Sequence, residues 1–140
     1  MSVPEGERGE GRFTLPIKAE ELARYTLTIT KNEHIFLPEY QKPLTDDLIN
    51  CAKNAYLCIR EANDIRVDPT SGTFLADKRE RQNAQKDAIR FLKRMLSLID
   101  LSRRVFHLST KRVKFWSAMV IEVRDRTRRW MESDMRRYSQ

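Results

Sequence analysis

The chain has 140 residues, of which 34% are charged and 9% are aromatic, with a mean hydropathy of −0.65 and a net charge of +7. This length predicts one domain with a modest core, and the patterned polarity excludes a wholly disordered chain. No apolar run approaches the roughly eighteen residues that a membrane span requires, and no signal-peptide layout opens the chain, so we expect a cytoplasmic protein without membrane segments.

The charge is unevenly distributed along the chain. Residues 1–12 carry a net −1 and residues 13–77 a net −3, whereas residues 78–140 hold eighteen Lys and Arg against seven Asp and Glu, a net +11. This asymmetry favours a polyanionic partner, and inside a cell that partner is most often nucleic acid. It also permits head-to-tail association between identical chains.

Residues 1–15 contain three glycines, a proline and alternating charges, which predicts a flexible N-terminal tail. Residues 16–138 are predicted to form the folded domain. Pro16 suits the first turn of a first helix that ends between Asn32 and His34. The apolar positions of this helix are Leu22, Tyr25, Leu27 and Ile29.

A second helix is predicted to open at Pro43, with Thr45 as a candidate cap. Its inward positions are Leu48, Ala52, Ala55, Ile59 and Ala62. Cys51 and Cys58 lie on the same helix about 10 Å apart, too far for a disulfide, so we interpret both as small buried hydrophobic residues. The segment 68–73 has the composition of a turn.

The third helix is predicted over residues 77–106, which contain neither proline nor glycine and would extend about 45 Å. One face is a packing seam with the residues Ala84, Ala88, Leu92, Met95, Ile99 and Ser102. A second face follows the same rhythm and is mostly cationic. It comprises Arg79, Asn83, Lys86, Arg90, Lys93 and Ser97.

Ser109 or Thr110 is predicted to cap a fourth helix that reaches towards Tyr138. Its apolar stripe is Val113, Trp116, Val120, Val123, Thr127 and Trp130. The two tryptophans suit either the core or a subunit interface. Since no alternating strand pattern occurs, we predict an all-α fold, an up-down-up-down four-helix bundle with two long C-terminal helices.

Reactive groups are scarce. His34 and His107 are the two histidines, and the chain has no P-loop, dinucleotide fingerprint or Glu-x-x-His pair. A helical ribonuclease is the enzymatic alternative, but the spacing of Arg103 and Arg104 from His107 does not match its motif. His107 suits the negative end of a helix dipole instead. We therefore expect a protein that is not an enzyme, with no catalytic residue, metal or cofactor.

The basic residues of the third helix and of the start of the fourth predict a nucleic-acid-binding surface. Between Lys86 and Arg94 the only acid is Asp87, and between Asp100 and Lys114 there is none, whereas later arginines have acidic partners at i,i+4 spacing, Glu122–Arg126 among them. No aromatic residue accompanies the basic ones at a stacking rhythm, which indicates contact with backbone phosphates. The candidate residues are Lys78, Arg79, Lys86, Arg90, Lys93, Arg94, Arg103, Arg104, Lys111, Arg112 and Lys114.

Several segments resemble a known family. They are Lys18–Ala23 with Tyr25 and Thr26, Glu61–Asn63, Arg79–Met95, Trp116 and Ser133–Tyr138. These motifs, spread over residues 16–138, are similar to those of small bacterial and phage four-helix-bundle proteins. That family includes the accessory variability determinant (Avd) of diversity-generating retroelements and is related to ribosomal-RNA intervening-sequence proteins.

The resemblance implies a function. Such accessory proteins are non-catalytic homopentameric barrels that bind RNA or DNA and associate with the reverse transcriptase of the retroelement, a mobile element, during error-prone copying of template RNA. The alternative is a structural or protein-interaction bundle that does not bind nucleic acid. The motifs leave open the subunit number, the preference between RNA and DNA, and whether a reverse transcriptase is the partner.

Overall fold

A computed structural model describes residues 13–139, and within that range the chain forms four α-helices and no strand. They are α1 (Leu15–Thr30), α2 (Asp46–Asp64), α3 (Phe74–Phe106) and α4 (Thr110–Arg137). The all-α prediction is confirmed. Twelve of the fifteen residues of the predicted tail lie outside the described part of the chain.

Successive helices contact each other, and α1 also contacts α4. Arg81, near the start of α3, bonds to Asp134, near the end of α4. Trp116, early in α4, donates from Nε1 to Thr26 Oγ1, late in α1, over 3.1 Å. Because α3 has 33 residues and α1 has 16, the two long helices extend beyond the two short ones.

The packing seams predicted from periodicity are confirmed. The five inward positions of α2 are almost fully buried, as are the six of the α3 seam and all of the α4 stripe except half-buried Val113. Trp116 and Trp130 are 0% and 1% exposed, so both are core residues within a single chain. The turn after α2 also lies where its composition predicts it, between residues 64 and 74.

Six aromatic rings form a continuous series of contacts at the end of the fold where α3 meets α4. We call this series the aromatic run. In order of contact it comprises Phe115, Tyr25, Trp116, Phe36, Phe106 and Tyr40, with centroid separations of 4.9–6.4 Å. Its two terminal rings are exposed, whereas Phe36, in the segment between α1 and α2, is fully buried.

A buried polar network ties the opposite end together. The Arg81 guanidinium donates to both carboxylate oxygens of Asp134, at 2.7 and 3.1 Å, and to the carbonyl of Ile65 at 3.2 Å. Gln85 Nε2 donates to the same carboxylate at 2.8 Å. The guanidinium also lies 5.0 Å from the centre of the Trp130 ring. These contacts connect α3 and α4 to the segment that follows α2.

The first helix differs from its prediction in three respects. It ends at Thr30, because the Asn32 side chain accepts the His34 amide at 3.0 Å in a local turn that competes with the helix. Leu27 is 44% exposed, because it lies about 140° around the helix from buried Leu22 at 100° per residue. Residues 13–15 do not belong to a tail, since the Phe13 ring packs 4.8 Å from that of Trp130 and Leu15 is fully buried.

The start of the second helix was also predicted incorrectly. A single π-helical turn, Gln41–Thr45, contains Pro43 and runs directly into α2 at Asp46. The backbone of Thr45 is therefore already helical, with φ −63° and ψ −42°, and its side chain makes no capping bond. Its Oγ1 is buried and has no partner within the described residues.

Candidate nucleic-acid interface

The basic face of α3 points away from the core. Arg79, Lys86, Arg90 and Lys93 are all exposed, and Arg79, Lys86 and Lys93 follow each other at seven-residue steps, about 10 Å apart along one line. The core seam occupies the opposite side of the same helix. Periodicity alone therefore located these four side chains on the solvent side.

Local ion pairs neutralise only part of this surface. Arg90 pairs with Asp87 at 2.9 Å, and Arg104 pairs with Asp100 at 3.1 Å. The remaining exposed cations make no ion pair within residues 13–139. They are Arg79, Lys86, Lys93, Arg94, Arg103, Lys111 and Lys114. Apart from Arg94, these residues form an unneutralised surface that extends about 36 Å along α3 from Arg79 to Arg103 and continues around the turn into α4.

The turn between α3 and α4 positions the second part of the surface. His107 adopts a left-handed conformation, with φ 55° and ψ 47°, and its amide donates to the Arg103 carbonyl. This geometry ends α3 as a C-cap and agrees with the structural role predicted for His107. Ser109 then caps α4 as expected, because its hydroxyl accepts the Arg112 amide at 3.1 Å. Lys111 and Lys114 are exposed within the first five residues of α4.

Two predicted residues lie apart from the main surface, and a third is half-buried beside it. Lys78 Nζ donates to the Tyr138 carbonyl at 2.7 Å and lies 5.6 Å from the centre of the Phe74 ring, so its charge belongs to the fold. The Arg94 guanidinium lies 5.7 Å from the centre of the Phe91 ring, on the side of α3 that faces α2. Arg112 is half-buried at the start of α4.

The later arginines of α4 are partly engaged, as their spacing predicts. Arg126 lies 3.8 Å from Glu122 and donates to Thr14 at 2.6 Å. Asp125 has Arg129 at i,i+4 spacing but pairs instead with its neighbour Arg124, at 3.1 Å. These contacts account for the charges of Arg124 and Arg126 within the fold.

The sequence patterns did not identify the roles of two residues, one in the core and one on the candidate surface. Arg81 is an arginine that belongs to the core, and the signal for it is its position three residues before Ala84 on the packing seam. Phe115 is 57% exposed and follows Lys114 directly, so one aromatic ring does accompany the cations. The sequence pattern places Phe115 beside the basic residues, but only the packing reveals that its ring is free of the core.

The thiols are poor candidates for chemistry. Burial raises the pKa of the Cys51 thiol, an effect that Arg94 partly offsets and Asp47 reinforces. Burial also raises the pKa of Cys58, with smaller contributions from Asp87 and Glu61. A raised pKa leaves little thiolate near neutral pH, and thiolate is the nucleophile.

Within residues 13–139, no group of three or more His, Cys, Asp or Glu side chains could hold a metal ion. In the same residues, each helix is too short or too polar to cross a membrane.

Comparison with protein-family models finds no matching family, and comparisons with curated proteins and with solved structures also find no match.

Proposed function

We propose that this chain is a non-catalytic, nucleic-acid-binding accessory protein of a retroelement reverse transcriptase, acting in the cytoplasm during mutagenic copying of template RNA. The observation that carries the binding part of this proposal is the set of seven exposed cations without ion-pair partners among the described residues. Unbalanced like charges repel each other within a fold, and phosphates relieve that repulsion on binding. The reverse transcriptase and the template RNA come from the resemblance of the sequence motifs.

We further propose that the four helices run up-down-up-down and that several chains assemble into a ring, a pentamer according to the resemblance. The antiparallel order is supported by the Arg81–Asp134 and Thr26–Trp116 contacts, each of which joins the beginning of one helix to the end of another. Assembly is supported by a largely apolar groove of about 320 Å³ between α1 and α2, and Leu27 and Ile49 are among the residues that line it.

The groove also favours the second candidate function, a protein-interaction bundle that does not bind nucleic acid. Apolar surface between two helices is the kind of site at which a partner helix packs. Under this alternative, the cationic surface faces an acidic protein rather than phosphates. Binding of nucleic acid distinguishes the two functions, whereas the mass of the assembly does not.

The direct experiment is titration of labelled RNA and DNA duplexes with the full chain over a series of salt concentrations. We expect binding that weakens steeply with salt and depends little on sequence. The test variant is Arg79→Ala/Lys86→Ala/Lys93→Ala, which removes three cations from one line of α3. Its slope of log affinity against log salt should be shallower by about 2.7, at roughly 0.9 per DNA phosphate released.

A matched variant loses three exposed cations from the other part of the chain, Lys31→Ala/Lys42→Ala/Arg66→Ala. It changes the net charge equally, and we expect a slope close to that of the unmodified chain. Equal slopes for the two triple variants would show that only net charge matters and would contradict a defined surface. Absence of binding at low salt would contradict the function itself.

The remaining parts of the proposal have separate tests. Light scattering should give a mass of about five chains, and a monomer would contradict the ring. Co-expression with a reverse transcriptase encoded beside this gene should yield a co-purifying complex. Incubation with RNA should yield no cleavage, and cleavage that disappears on His107→Ala would establish the ribonuclease alternative instead.

A further inference from the structure

The exposed end of the aromatic run is the feature that the proposed function leaves unexplained. Phe115 is 57% exposed, although its neighbour Trp116 is completely buried. Burial of a phenylalanine side chain stabilises a fold, so this fold leaves part of that stabilisation unused. A single exposed apolar residue is common, and only its surroundings can distinguish a binding site from ordinary exposure.

The Phe115 ring is held in a defined orientation. Its centroid lies 5.2 Å from that of Tyr25 at an interplanar angle of 62°, an edge contact. Tyr25 in turn lies 6.4 Å from buried Trp116, whose indole nitrogen is bonded to Thr26. The aromatic run thus supports Phe115 from the core, and a ligand meets a ring that is already ordered. Preorganisation of this kind lowers the entropic cost of binding.

The surroundings of the ring are cationic. Lys111 and Arg112 precede Phe115 by four and three residues, so both lie one helical turn away on the same side of α4. Residues 101–121 contain no Asp or Glu at all. The first acid along α4 is Glu122, which lies 4.0 Å from Lys18 and 3.8 Å from Arg126. The ring and the two cations therefore form one surface, which we call the Phe115 platform.

We infer that the Phe115 platform binds an unpaired nucleobase of single-stranded nucleic acid by stacking, while Lys111 and Arg112 neutralise the neighbouring phosphates. This inference rests on the proposed function and adds a site for single strands to a surface otherwise suited to backbone contact. An apolar protein partner placed on the ring would have to desolvate the adjacent Lys111 and Arg112. A nucleotide avoids that cost because it offers a flat π-face and an anion together.

The experiment compares two labelled probes, a single strand of about 16 nucleotides and a duplex of the same length, at one salt concentration. Phe115→Ala should weaken single-strand binding about 5- to 150-fold, the range that corresponds to 1–3 kcal/mol of stacking per base. Duplex affinity should change less than about twofold, since paired bases do not reach the ring. Phe115→Trp should retain single-strand binding, because it keeps a π-face.

Phe115→Leu is the decisive variant. It preserves apolar packing against Tyr25 but has no π-face, so we expect single-strand binding as weak as that of Phe115→Ala. Leu75→Ala removes another exposed apolar side chain, 66% exposed at the opposite end of α3, and should change neither affinity. Far-ultraviolet circular dichroism checks the folding of each variant.

Each outcome has one meaning. Wild-type affinity in Phe115→Leu would show that only apolar contact matters and would overturn the stacking role. If Phe115→Ala weakened the binding of both probes equally, or weakened the binding of neither, the stacking role would also be overturned. A change in the mass of the assembly in solution would overturn it as well, because it would assign the ring to a protein contact. If the unmodified chain binds neither probe at low salt, the proposed function fails first, so the two failures are distinguishable.

Discussion

The buried pair Arg81–Asp134 offers the sharpest test of the fold. Its side chains are 3% and 11% exposed, and the carboxylate accepts three hydrogen bonds, two from Arg81 and one from Gln85. Asp134→Leu leaves the guanidinium buried without its anion, and removing one partner of a buried pair costs about 3–5 kcal/mol. The entropy of unfolding of a 140-residue chain is roughly 0.3 kcal/mol per kelvin, so the melting temperature should fall by about 10–17 °C.

The double variant Arg81→Met/Asp134→Leu separates the two contributions to that loss. Without either charge the site is apolar, and replacement of a whole buried pair is often neutral. We expect the double variant to regain at least half of the lost stability. It should not regain all of it, because buried Gln85 Nε2 still loses its acceptor, at about 1–3 kcal/mol for a buried group left unsatisfied.

Urea unfolding followed by circular dichroism measures the free energy of unfolding of four proteins. These are the unmodified chain, the single variants Asp134→Leu and Arg81→Met, and the double variant. Asp100→Ala is the control, because its pair with Arg104 has side chains 57% and 73% exposed and should contribute less than about 1 kcal/mol. A cost below about 1 kcal/mol for Asp134→Leu would refute the reasoning. So would a double variant as unstable as the sum of the two single ones.

Two further predictions concern the core. Thr26→Val removes the acceptor of the Trp116 indole N–H and should lower the free energy of unfolding by about 1–3 kcal/mol. Urea unfolding measures this loss, and an unchanged midpoint would contradict a stabilising role for the hydrogen bond. Because burial raises the pKa of both thiols, both should react slowly with a disulfide reagent at mildly alkaline pH, half-buried Cys58 before buried Cys51. Rapid reaction of Cys51 in the native state would contradict the packing.

The helices could be predicted because their signals are local. A seam such as Ala84–Ala88–Leu92 repeats within one helix, and the Ser109 cap needs only the amide of Arg112, three residues later. The start of α2 could not be read in the same way. A π-helical turn there depends on how the segment around buried Phe36 packs, and no local pattern reports that.

The candidate surface was predictable in composition but not in detail. The exposure of Arg79, Lys86 and Lys93 follows from the position of the seam on the same helix. The contact of Lys78 with the Tyr138 carbonyl joins residues sixty positions apart, and the Arg81–Asp134 bond spans fifty-three. Sequence periodicity carries no information about such distant pairs.

The two tryptophans make the ends of α4 separately observable. Trp116 belongs to the aromatic run and donates a hydrogen bond, whereas Trp130 lies beneath the Arg81 guanidinium, about 21 Å further along the helix. Each indole therefore senses a different environment. With one of them replaced by phenylalanine, the emission of the other becomes a local optical probe, and loosening at one end of the molecule can be followed without interference from the opposite end.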